Sequence, residues 1–145
     1  MKMNTTFIKS ALFLTLILFF SQNAIAIDSA EKEPLSTSAV LDGRTYTGQN
    51  GSKGKPADHD DEFIFSNGMF RSTSCDAYGF ESGPYQTEVV DDVIYFKAVT
   101  KSPTHGQMVW EGKVEAEAIN GTFLWTKERW YWDIRKEYWL EGKLK

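Results

Sequence analysis

The sequence predicts an all-β fold, a single small eight-stranded up-and-down antiparallel β-barrel that follows a removable leader. Three observations carry this. Beyond Val40 no segment holds a helical 3.6-residue period for three turns. Glycines, prolines and polar turn pairs instead cut the chain into short runs rich in β-branched and aromatic residues. Along those runs apolar and charged residues alternate, the period-two pattern of a strand with one buried face.

The N-terminus reads as a secretory signal peptide over residues 1–26. Lys2 and Lys9 precede an uncharged apolar run from Ala11 to Phe20, and Ser21-Gln22-Asn23 leads to the small-residue pattern Ala24-Ile25-Ala26. The run is too short to cross a hydrocarbon core of roughly 30 Å as a helix, and no basic stop-transfer residues follow it. Cleavage after Ala26 would leave Ile27-Asp28-Ser29 first, with no membrane anchor, on an exported protein of the periplasm or the medium. No cysteine follows the run to carry a lipid. Residues 27–39 are polar, hold almost nothing to bury, and read as a disordered lead-in to a barrel domain over residues 40–145.

The strands follow in order. Arg44 to Gly48 opens the domain, and Gln49 to Asp61 reads as a long polar loop. Glu62 to Ser66 and Met69 to Ser72 flank Asn67-Gly68, a pair that accepts positive φ at both turn positions and so marks a tight hairpin. Tyr85 to Val90 and Val93 to Thr100 flank Asp91-Asp92 in the same way. Gln107 to Ala116 sets Met108, Trp110, Gly112, Val114 and Ala116 against Gln107, Glu111, Lys113 and Glu115. After a turn at Glu117-Ala118, the run Ile119 to Lys127 puts Ile119, Gly121, Phe123 and Trp125 on one face. Lys136 to Leu144 closes the chain with Tyr138, Leu140, Gly142 and Leu144 inward.

Eight such strands, apolar on one side and joined mostly by short connections, would leave two long edges and a bare apolar face as an open sheet. Rolling them into a barrel removes both. Gly112, Gly121 and Gly142 on the inner face permit the sharp bends that closure needs. A two-sheet sandwich is the competing architecture.

The stretch Asp61-Glu62-Phe63-Ile64-Phe65-Ser66-Asn67-Gly68-Met69-Phe70-Arg71-Ser72, followed by Cys75 and Tyr78-Gly79-Phe80, resembles a group of small exported bacterial proteins of lipocalin-like, or calycin-like, β-barrel type. Trp110-Glu111-Gly112, Gly121 to Lys127 and Leu140-Glu141-Gly142-Lys143-Leu144 fit the same pattern, so the likeness covers most of residues 41–145. It implies a barrel outside the cytoplasm. The early Gly-x-Trp of lipocalins proper is replaced by Gly43-Arg44-Thr45-Tyr46, and the polar ligand set of the similarly sized biotin-binding (avidin-like) barrels has no counterpart, so no family site is carried over.

Charge narrows the partners. Removing residues 1–26 takes away Lys2 and Lys9 and no acid, leaving 14 Lys+Arg against 20 Asp+Glu, a formal charge of −6. A nucleic-acid binder needs clustered basic charge, which is the opposite balance, so nucleic acid is not an expected partner. Cys75 is single; with Arg71 as the nearest cation it reads as a small packed thiol, without the depressed pKa of a nucleophile. Asp58-His59-Asp60-Asp61-Glu62 offers ligands for a cation but lacks the spacing and the glycine of a calcium loop, and reads as a solvated acidic loop with no metal. His59 and His105 stand in loops, and no catalytic or phosphate-cradling motif occurs, so neither catalytic residues nor a cofactor is expected.

Aromatic content is the unusual quantity, 17 residues of the 119 after the leader, with all five tryptophans between Trp110 and Trp139. An eight-stranded barrel is just wide enough to be filled solid by such side chains. Alternatively Trp110, Phe123, Trp125 and Tyr138 line a pocket for a small apolar or aromatic ligand. Between the last two strands, Trp130-Tyr131-Trp132 with Arg129 and Arg135 is too apolar for a plain turn. It either folds back as a cap or stands out as an anchor for a protein or glycan. Three functions follow: an exported ligand-binding barrel; a non-enzymatic interaction module, such as an inhibitor or assembly factor, with a solid barrel and an aromatic rim; and, more weakly, a hydrolase with an unrecognised site. Inward side chains at every level would mark the solid barrel, and a void behind Trp110 the pocket.

Overall fold

The computed structural model describes residues 39–145, and the expected signal peptide and the lead-in up to residue 38 lie outside them. Eight antiparallel strands in sequence order close into a barrel: β1 (Thr45–Ser52), β2 (His59–Ser66), β3 (Met69–Ser72), β4 (Gly83–Val90), β5 (Val93–Ser102), β6 (Gly106–Glu115), β7 (Ala118–Lys127) and β8 (Ile134–Leu144). β8 returns to β1 and closes the ring, with Gly48 opposite Gly142 at the seam. A Cβ on Gly48 would lie 1.9 Å from the Glu141 carbonyl oxygen, so glycine is required for the strands to come this close.

Hairpin chemistry sets the register. Asn67 (φ 53°) and Gly68 (φ 73°) make the tight β2–β3 turn, and Asp91 (φ 53°) opens the β4–β5 turn. The β6–β7 turn falls on Ala116-Glu117, one residue earlier than expected, and Ala116 is not an inward strand residue but sits in the left-handed region (φ 52°). β1 and β2 are longer than predicted, so the connection shrinks to residues 53–58 and most of the acidic run becomes strand. Leu144 reaches the rim, where it is 39% exposed.

One end of the barrel is sealed. The hairpin tips 67–68, 91–92 and 116–117 gather there with a 3-10 turn, Ala39–Leu41, that places Leu41 in the core. The Asp42 carboxylate accepts the Gly68 amide at 3.0 Å and the Tyr85 hydroxyl at 2.8 Å, tying the turn to β2–β3 and β4. Above this plug Tyr46, Phe63, Phe65, Phe70, Tyr85 and Phe96 fill the interior, with Phe65 touching four other rings at centroid distances of 5.0–6.1 Å. Among the described residues, Tyr46 Oη is the single buried side-chain polar atom left without a hydrogen-bond partner.

The other end is built differently. β3 stops after four residues and pairs with β4 only at Met69↔Pro84 and Phe70↔Gly83. The chain then makes a second 3-10 turn, Thr73–Tyr78, that ends on Gly79 in the left-handed region (φ 73°). Arg71 clamps Asp76 through two hydrogen bonds, 3.0 and 2.5 Å, and Ser102 Oγ donates to the Tyr78 carbonyl at 2.8 Å, which fixes this turn over the barrel top.

Candidate functional site

The interior changes character along one row of side chains. Trp110, Phe123 and Tyr138 face one another across β6, β7 and β8 in register. Trp110 stacks on Phe123 with centroids 4.1 Å apart and planes at 29°, and Phe123 stacks on Tyr138 at 4.8 Å and 4°. Trp110 has no exposed surface, and its Nε1–H donates to Thr100 Oγ1 at 2.9 Å, so the indole is a satisfied core group. It is the core end of the row and does not line the cavity. Phe123 and Tyr138 form the floor of a cavity of about 430 Å³ that opens at the unsealed end.

Apolar walls rise from this floor. Met108 and Trp125, paired one step further along β6 and β7, supply part of the wall, and Cys75, Tyr78 and Phe80 from the 3-10 turn and the segment after it supply the rest. Trp125 is half-buried, with its Nε1–H donating to the His105 carbonyl at 2.7 Å and Lys136 Nζ lying 5.8 Å from the ring centroid. Cys75 Sγ sits 3.7 Å from Met108 Sδ, and burial pushes the thiol's pKa up, so the group is a neutral wall element. Burial also raises the Tyr138 phenol, which therefore keeps its proton and can donate it in a hydrogen bond.

A buried carboxylate holds one wall in place. Asp61, expected in a solvated loop, is on β2 and only 3% exposed. Its Oδ2 accepts Asn50 Nδ2 at 2.8 Å, Ser72 Oγ at 2.6 Å and Ser74 Oγ at 2.8 Å; its Oδ1 accepts the Ser74 amide at 3.0 Å and Thr73 Oγ1 at 3.3 Å. Because β3 ends at Ser72, the strand partner Asp61 would otherwise face is replaced by hydroxyls and an amide from the turn. The charge is spread over five donors, the condition for burying a carboxylate without a counter-ion.

The polar part of the cavity lining is one-sided. His59, His105, Lys127 and Arg129 reach it with Asn50 and Ser74, and no carboxylate does. The sequence led to the expectation that Trp110, Phe123, Trp125 and Tyr138 line a pocket; Phe123, Trp125 and Tyr138 line this cavity, whereas Trp110 is packed in the core and does not reach it. Sequence reasoning missed Lys127, Met108 and the two histidines. The signal was present for two of them, since Met108 stands two residues before Trp110 and Lys127 two after Trp125, on the same inward faces. Among the described residues no three His, Cys, Asp or Glu side chains come together as a metal ion would require.

The aromatic segment is not a cap. Trp130 is 92% exposed and Trp132 63%, with Tyr131 between them in edge-to-face contact at 4.9 and 4.3 Å. Arg129 turns its Nη1 to the Tyr131 hydroxyl at 3.0 Å. No known protein family, no curated protein and no solved structure matches the chain.

Proposed function

We propose that this is an exported binding protein of lipocalin-like type that holds one small apolar or aromatic ligand in the open half of its barrel. The observation that carries the reading is the cavity above the parallel Phe123 and Tyr138 rings, within the usual volume of small-molecule pockets of about 300–1,000 Å³. A flat ligand laid on that floor would touch Met108, Trp125 and Phe80 at its edges. Size is limited from below, because under Phe123 the barrel is filled by Trp110 and the phenylalanines around it. A long chain has no way down the axis.

Native mass spectrometry of the protein purified gently from its own compartment tests this. A retained mass of a few hundred daltons, lost on mild activation, is the expected result, and a protein that arrives bare and gains no thermal stability from any small aromatic compound contradicts it. Export rests on the residues from Lys2 to Ala26, and N-terminal sequencing of the exported form should begin Ile27-Asp28-Ser29. A mature chain still carrying Phe19-Phe20 would overturn that part.

The exposure of Trp130 and Trp132 favours a second reading, an interaction module that presents this loop to a protein or glycan. The two readings separate by variant: Trp130→Ala would abolish partner capture in the second and leave ligand retention untouched in the first.

A further inference from the structure

We propose that the ligand carries an anionic group at the end of its apolar body, and that Lys127 and Arg129 receive that group at the cavity mouth. The inference rests on the ligand-binding reading above and adds the ligand's charge and orientation. In a chain with 20 acidic against 16 basic residues, a cavity lined by two permanent cations, two imidazoles and no carboxylate departs from the average of the surface. Among the described residues neither cation is in an ion pair; the pairs engage Lys53, Arg71, Lys97, Lys113 and Lys145.

The carboxylates around the cavity are engaged elsewhere, and Asp133, in the same loop as Arg129, accepts the Arg129 backbone amide at 3.3 Å without pairing with its guanidinium. Asp61 is saturated by its five donors behind Asn50 and Ser74. Asp58 accepts the Ser52 amide and hydroxyl at 3.2 and 3.3 Å, and Asp60 accepts Gln49 Nε2 at 3.1 Å. Position gives the orientation. Lys127 ends β7 two residues beyond Trp125, so its ammonium lies at the open end of the same face that supplies the apolar wall, and Arg129 follows in the loop. An aromatic ring on Phe123 and Tyr138 therefore has its anion directed outward, to a carboxylate, sulfonate or phosphate position between guanidinium and ammonium. The protonated Tyr138 hydroxyl can add a donor from below.

The test uses two fluorescent probes of one shape, 8-anilinonaphthalene-1-sulfonate and its uncharged counterpart N-phenyl-1-naphthylamine, titrated into the protein as its cell exports it. The sulfonate should bind about tenfold tighter or better, the scale of one charge-assisted hydrogen bond made in a sheltered site. The double variant Lys127→Ala/Arg129→Ala should erase most of that preference and leave the neutral probe within about twofold. Lys113→Ala/Lys143→Ala, which removes the same charge from the outer wall, should leave the preference intact. Equal affinity for both probes, or a preference that survives Lys127→Ala/Arg129→Ala, overturns the anion inference while the cavity reading stands. Failure of both probes to bind overturns the cavity reading and the inference with it.

Discussion

Asp61 shows how one side chain can organise a wall of the cavity. Replacing it by alanine would take the acceptor from the Ser74 amide and leave Asn50 Nδ2 and the Ser72 and Ser74 hydroxyls with weaker ones, Ser74 Oγ at 3.0 Å for the amide nitrogen of Asn50 and Cys75 Sγ at 3.3 and 3.8 Å for the two hydroxyls. An unsatisfied donor costs about 1–3 kcal/mol, so the lost amide acceptor and the weakened hydroxyl network should together lower the stability of Asp61→Ala by about 2–3 kcal/mol in chemical denaturation. A loss under about 1 kcal/mol would mean that the hydroxyls find water instead. The two inward tryptophans should differ in the same measurement. Trp110→Ala empties a fully packed site and should cost roughly 3–5 kcal/mol, whereas Trp125→Ala removes a half-buried wall residue and should cost about 1–2 kcal/mol. Equal losses would put Trp125 in the core and contradict the cavity. The acidic run from Asp58 to Glu62 looks solvated by composition, yet Asp61, Phe63 and Phe65 share one strand face at period two, and that alternation was the clue to the burial of Asp61.

At the scale of elements, the sealed end depends on a phenol that must stay protonated. Burial pushes the Tyr85 pKa well above its ordinary value, and the neighbouring Asp42 carboxylate, which accepts its proton in a hydrogen bond, adds to the rise. A raised folded-state pKa of this kind contributes stability that is fully present below the unfolded value, about 10 for a phenol, and is lost as pH climbs above it. Cys75, raised mainly by burial, adds the same sign from about 8.5 upward. Urea midpoints should therefore hold near neutrality and fall between about pH 8.5 and 11. Tyr85→Phe should be less stable at pH 7, having lost its bond to Asp42, with a shallower fall above pH 10; an alkaline limb that is unchanged by this substitution would contradict the assignment. The strands and two of the three tight hairpin turns were legible because Asn-Gly, Asp-Asp and the alternation are local signals. The 3-10 turn at Thr73–Tyr78 was not, because it exists through tertiary bonds: Arg71 to Asp76, Ser102 to the Tyr78 carbonyl, and the Asp61 cluster. The extensions of β1 and β2 were hidden for a related reason, since Gln49 to Ser52 and His59 to Asp61 carry no apolar residue and are strand only by pairing with each other and with β8.

For the whole molecule, the sequence offered a choice between a solid and a hollow barrel, and the fold divides the two along its axis. Ten or so large inward side chains suffice to fill the sealed half, while β3's early end and the 3-10 turn leave the other half open above Phe123. That division depends on where β3 stops, which composition does not reveal, so the aromatic count alone could not assign Trp110 to the core and Trp125 to the wall. The five indole N–H groups now mark distinct places: Trp110 in the core, Trp125 on the cavity wall, Trp130 and Trp132 on the exposed loop, and Trp139 donating to the Lys55 carbonyl at 2.9 Å. Titrating N-phenyl-1-naphthylamine while following these five proton–nitrogen resonances by NMR tests the cavity directly. The Trp125 signal should move most, Trp110 less through Phe123, and Trp139 not at all; movement confined to Trp130 and Trp132, with Trp125 fixed, would show that the ligand sits on the loop and that the cavity is not the site.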